Sequence, residues 1–312
     1  MFYRQKEDID PEQSFDAVDL DVLLRNVVNR CSIELRSAQS LDEARNLIAD
    51  LLQAFRVTHR SIRLLVGQYE KEMELGSDAL SLAREQIEKI FVLTLLLDDP
   101  KKWVEVYLKD SWKKKYQYFL LHKEEHQDLP RHQEFLTVHG PEEMERGRIL
   151  HGVSADEKAA VEFKFFNPEP DKELPLNLKG KMIQDFPTPG VAKQKVKDPI
   201  KGVLNRWHIE YKLLCGYTHI GMDKLAAQAL PTQRYGTPDS VKSAYFENVI
   251  QPSLIISLVA TAFACTEVFR YVSQNAGIAG ELTKLWNELE QKSLLGKLFW
   301  NMRAKSQLPI LL

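Results

Sequence analysis

Residues 205–225, NRWHIEYKLLCGYTHIGMDKL, are apolar on two sides of a helix, and that pattern decides the fold class. At 100° per residue, Leu204, Tyr211, Cys215, Thr218 and Met222 share one face. Trp207, Leu214 and Leu225 edge that face on one side, and His208 and His219 edge it on the other. Ile209, Leu213, Gly216 and Ile220 form a second apolar stripe opposite. A helix apolar on two sides is expected at the centre of a helical protein, with neighbours packed on both. Gly216 would admit one neighbour closely, at about 1 kcal/mol of helix propensity against Ala.

The same period recurs outward in both directions. Toward the C-terminus, Pro231 and Pro238 bracket a short loop, and Ser240 begins a helix that Pro252 must kink or break. Leu254 to Val272 continues that helix as core. Leu282, Leu285, Trp286, Leu289, Leu295 and Phe299 mark a last helix within 281–303, bent near Gly296. Toward the N-terminus, Leu80, Ala83, Ile87, Phe91 and Thr94 line the inner face of a helix over 79–97, which Asp98-Asp99-Pro100 stops. Residues 101–121 are again helical, with Trp103, Tyr107, Trp112, Tyr116, Tyr118 and Phe119 interleaved with six lysines.

Leu20, Leu24, Val27, Cys31 and Leu35 set a first helix from Asp16 to about Ala38. Ser40 and Glu43 form a capping box before a long second helix. Its heptad seam pairs Ala44, Leu51, Thr58 and Leu65 with Ile48, Phe55, Ile62 and Tyr69. Such a seam wants a partner helix, either the first helix in a hairpin or a second copy of the chain. Between His122 and Pro199 fall eight of the 14 prolines, so this region reads as an irregular excursion with one short helix near Ser154–Lys164. The expected architecture is all-α, without strands. An N-terminal hairpin or dimerisation arm (1–76) precedes a helical core (77–275) with an irregular proline-rich insertion (122–200). A C-terminal helix and tail (276–312) follow.

Over 312 residues, 44% hydrophobic and 28% charged composition is that of an ordinary globular chain. A net charge of -2 rules out a uniformly basic surface, so any nucleic-acid site must be local. Cys31, Cys215 and Cys265 all sit in apolar helical segments, as thiols do in a reducing compartment. The opening MFYRQKEDIDPEQ has no apolar run, and the longest such run, Leu254–Cys265, is too short to cross a bilayer. A cytoplasmic chain with no membrane partner is therefore expected.

Three patterns invite chemistry. His122-Lys-Glu-Glu-His126 matches the inverted zinc-protease order H-x-x-E-H, which puts two imidazoles on one helix face. No third ligand is evident, so the run reads as a solvated helix end, and neither metal nor cofactor is expected. The lysine–aromatic helix 101–121 has the residue types of a nucleic-acid surface, but its aromatics are spaced for burial and its lysines for a wet face. Cys215 has no lysine or arginine on its own helix face to lower its pKa. No glycine-rich phosphate loop, Ser-His-Asp arrangement or CxxC pair is evident.

Two stretches together resemble a known family. AREQIEKIFVLTLLLDDPKKWVEVYL, with Arg84, Glu88 and Asp98–Pro100, resembles the first signature of a family of uncharacterised bacterial helical proteins. The second signature is a Tyr, then a Leu-Ser pair, then a His; Tyr211, Leu214-Cys215 and His219 match it, with Cys215 where Ser is usual. That family is similar to the HEPN superfamily of helical domains, many of which are ribonucleases or components of toxin and phage-defence systems. The resemblance spans roughly 78–275 and implies a HEPN-like helical bundle, in which Arg84, Glu88, Tyr211 and His219 form a polar network.

HEPN ribonucleases carry an Arg followed four to six residues later by His. Here that spacing occurs at Arg146–His151, in the insertion, and not on the central helix. The resemblance thus implies a non-catalytic binding or effector module in a defence or stress system. Its alternative is a metal-independent endoribonuclease with His219 as base, Arg84 on the phosphate and Tyr211 orienting the ring. The expected partners are a second copy through the N-terminal helices, and an RNA or a protein.

Overall fold

In the computed structural model, residues 17–37, 43–68, 75–126, 129–169, 172–197, 200–218, 246–271 and 276–306 are described. Among them there is no strand, as expected for an all-α chain. The helices in chain order are α1 (Ala17–Ser37), α2 (Glu43–Gly67), α3 (Leu75–Asp98), α4 (Pro100–Glu125), α5 (Pro130–Glu134) and α6 (Gly140–Leu150). They continue with α7 (Ala155–Phe166), α8 (Pro189–Lys195), α9 (Ile200–Thr218), α10 (Gln251–Tyr271), α11 (Ala276–Lys292) and α12 (Leu294–Met302).

The chain divides into two compact units, one of residues 1–98 with 189–312 and one of residues 99–188. In the first, α10 is the helix buried all round: every residue from Ile256 to Phe269 is buried. Ala260, Ala262, Ala264, Ser257 and Thr261 keep it slender, and α1, α2, α3, α11 and α12 pack against it. By length and composition the helical stretch Glu247–Tyr271 could cross a membrane, yet 78% of its apolar window is buried inside the protein. The heptad seam of α2 is buried within the chain from Ala44 to Ile62. Ile48, Phe55 and Ile62 are fully buried, and α2 packs on α1, α3 and α10.

Helix α9 is one-sided, contrary to the two-sided packing its sequence suggests. Val203, Leu204, Trp207, Glu210 and Leu214 are buried, and Trp207 stacks on Phe299 of α12 at 4.1 Å. The opposite stripe is open: Ile209 is 51% and Leu213 56% exposed. Apolar character made the stripe look like a contact, but no described helix covers it.

The second unit replaces the irregular insertion. Helix α4, expected in the main bundle, belongs here: Trp112, Tyr116, Phe119 and Leu120 pack with Leu136, Met144, Val153, Val161 and Ile183. Ser154 caps α7 in a full capping box with Glu157. Helices α5 and α6 are joined by a π-turn, Phe135–His139, and a second π-turn, Phe246–Ile250, leads into α10. Each turn ends two residues before a proline, Pro141 or Pro252. A proline ring in a regular helix strikes the carbonyl four residues back, and widening the preceding turn relieves that clash. Pro252 is thus absorbed without breaking the helix. Gly140 completes the first of these joints, since a Cβ there would lie 2.4 Å from the Phe119 ring and 2.7 Å from the Phe135 carbonyl.

Candidate functional site

Helix α3 presents Arg84 and Glu88 one turn apart, and α9 packs alongside it. Arg84 Nη2 lies 2.8 Å from the Glu88 carboxylate and donates to the Tyr211 hydroxyl at 2.8 Å. The guanidinium carbon sits 4.8 Å from the centre of the Tyr211 ring, a cation–π contact as well. The Cys215 thiol also acts on Arg84, helping to hold its charge. The thiol therefore does have an arginine beside it, supplied by the neighbouring helix and invisible on its own face. The structure brings Arg84, Glu88 and Tyr211 together; His219 lies outside the described residues.

Burial works against a charged Arg84, but Tyr211, Cys215 and the Glu88 charge outweigh it, and its pKa is raised. Burial also pushes the Tyr211 phenol up, with Arg84 pulling the other way. At neutral pH the pair is therefore a guanidinium donating to a neutral phenol. Tyr211→Phe should remove one net hydrogen bond and cost about 1 kcal/mol in urea unfolding, an unchanged midpoint being the contrary result.

His208 follows on the same face, its ring 6.0 Å from that of Tyr211 and edge-on to Phe91. Burial, then Lys193 and Lys212, lower its pKa, so the imidazole is neutral near pH 7. Its Nδ1 is buried without a protein partner.

Two constellations escaped the sequence. Asp21 of α1, His59 of α2 and Ser257 of α10 form a Ser-His-Asp arrangement, where none was expected. His59 Nε2 lies 2.8 Å from Asp21 Oδ1, and Nδ1 lies 2.7 Å from Ser257 Oγ. A carboxylate only accepts, so Nε2–H donates to Asp21 and Nδ1 accepts from the serine hydroxyl. His59 is 4% and Ser257 0% exposed, leaving no room for a substrate. The three residues tie three helices together. The spacings 21, 59 and 257 carry no local signal.

The second is Glu267 of α10. Its carboxylate takes Arg303 Nε at 2.9 Å and Nη2 at 3.1 Å, with Arg270 at 3.0 Å.

Four of the seven lysines of α4 meet carboxylates, and Lys102 lies over the Trp103 ring. Lys109 is 3.0 Å from both Glu105 and Glu157, Lys114 is 2.7 Å from Asp110, Lys113 pairs with Asp185, and Lys115 pairs with Glu143. Trp103, Trp112, Tyr116 and Phe119 are buried. A phosphate backbone would have to displace those acids and would find little aromatic face.

Arg146 and His151 also fail as a pair. Five residues turn a helix through 500°, so the two side chains leave α6 about 140° apart. Arg146 lies on the open outer face of α6 with Pro141, Glu142, Glu145 and Ile149, and no enclosed site surrounds it there. No protein family, curated protein or solved structure matches this chain.

Proposed function

We propose that the chain is a non-catalytic binding module that docks a protein partner on the outer face of α9. The observation behind this reading is the contrast between its polar and apolar groups. Arg84 is committed to Glu88, Tyr211 and Cys215, and the Ser257–His59–Asp21 group is sealed. Ile209 and Leu213, one turn apart on the opposite side of α9 from Tyr211, stand open to solvent. Two exposed aliphatic side chains at this spacing suit the apolar stripe of a partner helix. The HEPN resemblance adds a setting, a defence or stress system, and a rival, the metal-independent endoribonuclease.

A photo-reactive side chain placed at position 213 should yield one discrete protein adduct in the native host. Ile209→Asp should abolish that adduct, and the same probe at exposed Leu176 should give none. In parallel, the purified chain should leave a mixed RNA pool intact in chelator-treated buffer. Cleavage by the wild type that His219→Ala abolishes, with an unchanged melting temperature, would overturn the non-catalytic reading.

A further inference from the structure

The open stripe of α9 is fringed by charge of one sign. The exposed residues described on this helix are Lys201, Gly202, Asn205, Ile209, Lys212 and Leu213. At 3.6 residues per turn they share an arc of about 120°, and no carboxylate falls in it. Lys201 and Lys212 lie along one edge of the arc, beside Ile209. That edge is the His208 side, where α8 packs: a Cβ on Gly190 would lie 3.7 Å from His208 Nε2. Lys193 follows one turn later on α8, and its charge and that of Lys212 both act on His208. Among the described residues no carboxylate pairs with Lys193, Lys201 or Lys212. The acids of the neighbouring helical faces are already taken. Glu210 is buried and paired with Arg206. On α3, which packs along α9, Glu85 and Glu88 hold Lys89 and Arg84.

We propose that this face takes an acidic amphipathic helix of a partner protein, an inference that rests on the docking reading and names the partner's chemistry. Apolar side chains of that helix sit on Ile209 and Leu213, and carboxylates along one of its flanks meet Lys193, Lys201 and Lys212. Lys201 and Lys212 stand roughly 16 Å apart along the axis of α9, so a partner of about three turns or more reaches both. The other edge of the stripe is neutralised, because Arg206 is bound to Glu210. The charge therefore also selects which flank of the partner lies toward α8. Two other anions fit less well. A nucleic acid leaves the central aliphatic pair unused and finds, among the described residues of this face, no exposed aromatic to stack a base. An anionic membrane meets only two aliphatic side chains, too few to seat a helix whose other side is held in the core.

The test pans the whole chain against displayed helical peptides of about five turns. Leucine is fixed at two positions one turn apart, and the flanking positions are drawn equally from Lys, Gln and Glu. Clones that also bind the Ile209→Asp variant are discarded. Glutamate should come to dominate one flank of those that remain. For the best of them, Lys201→Glu combined with Lys212→Glu should weaken binding by about tenfold, since each exposed attraction is replaced by a repulsion. Exchanging the peptide's flanking glutamates for lysines should weaken it equally, and the doubly substituted chain should restore that loss. Melting curves check that the variants fold. Clones that need Ile209 but carry no excess of acid, or that are indifferent to the two lysines, would overturn the acidic partner and leave the docking face standing. No clone that needs Ile209 would overturn both. Single-stranded RNA or phosphatidylserine vesicles bound more tightly than any clone, through the same lysines, would replace the acidic helix with that anion.

Discussion

Glu267→Ala should destabilise the first unit by about 3–5 kcal/mol, because it leaves a buried guanidinium without its counter-charge. Glu267 and Arg303 are each 4% exposed, and the arginine follows α12 directly as its C-cap. Both of its bonds to Glu267 are charge-assisted, and water cannot replace them in place. Arg270 shares the same carboxylate but its side chain is 42% exposed, so it turns to solvent at little cost. The double variant Glu267→Leu with Arg303→Met should recover most of the loss, since two apolar side chains need no partner. Urea midpoints at constant m-value measure both changes. A single variant within 1 kcal/mol of wild type would mean the pair is not sealed from water.

Between pH 7 and pH 5 the chain should lose about 2 kcal/mol through His59 alone. Burial lowers its pKa from 6.5 to about 4. Asp21 does little to offset this, because its charge is already matched by Arg63. In that interval the unfolded chain takes up a proton that the folded chain refuses, so stability falls as the solution is acidified and recovers above pH 6.5. His208, lowered in the same direction, adds to the loss. Carboxylates held low by partners, such as Glu157 with Ser154 and Lys109, act at lower pH. His59→Gln cannot titrate, and its stability should be nearly flat over the same range apart from the His208 share. An equal slope in both proteins would refute the assignment.

Helix existence was legible from the 3.6-residue period, and α1, α3, α7 and α10 lie within a few residues of their expected places. Which helix is central was not. The small residues of α10 blur its periodicity while letting neighbours close in on every side. The outer stripe of α9 is as apolar as an inner one, and a stripe cannot announce whether a partner exists.

The prolines misled for a physical reason. Pro130 and Pro189 stand in the first turns of α5 and α8, where a missing N–H costs nothing, and the π-turn before α6 accommodates Pro141, so none of them dissolves its helix. The Arg84–Glu88 spacing and the face of Tyr211 were readable because each follows from one helix at a time. The Asp21–His59–Ser257 and Glu267–Arg303 groups were not, because each draws together side chains whose only relation is tertiary.

The interrupted first unit sets an order of events at the ribosome. Helices α1, α2 and α3 are synthesised first, but α10, the helix they bury, follows roughly 150 residues later. At about 5–20 residues per second that is a wait of roughly 8–30 s. The segment 99–188 is contiguous and has its own core, so it can complete itself in the meantime. Throughout the wait, the faces of α2 and α3 that pack on α10 have no native cover, and the nascent chain exposes apolar surface that the finished fold buries.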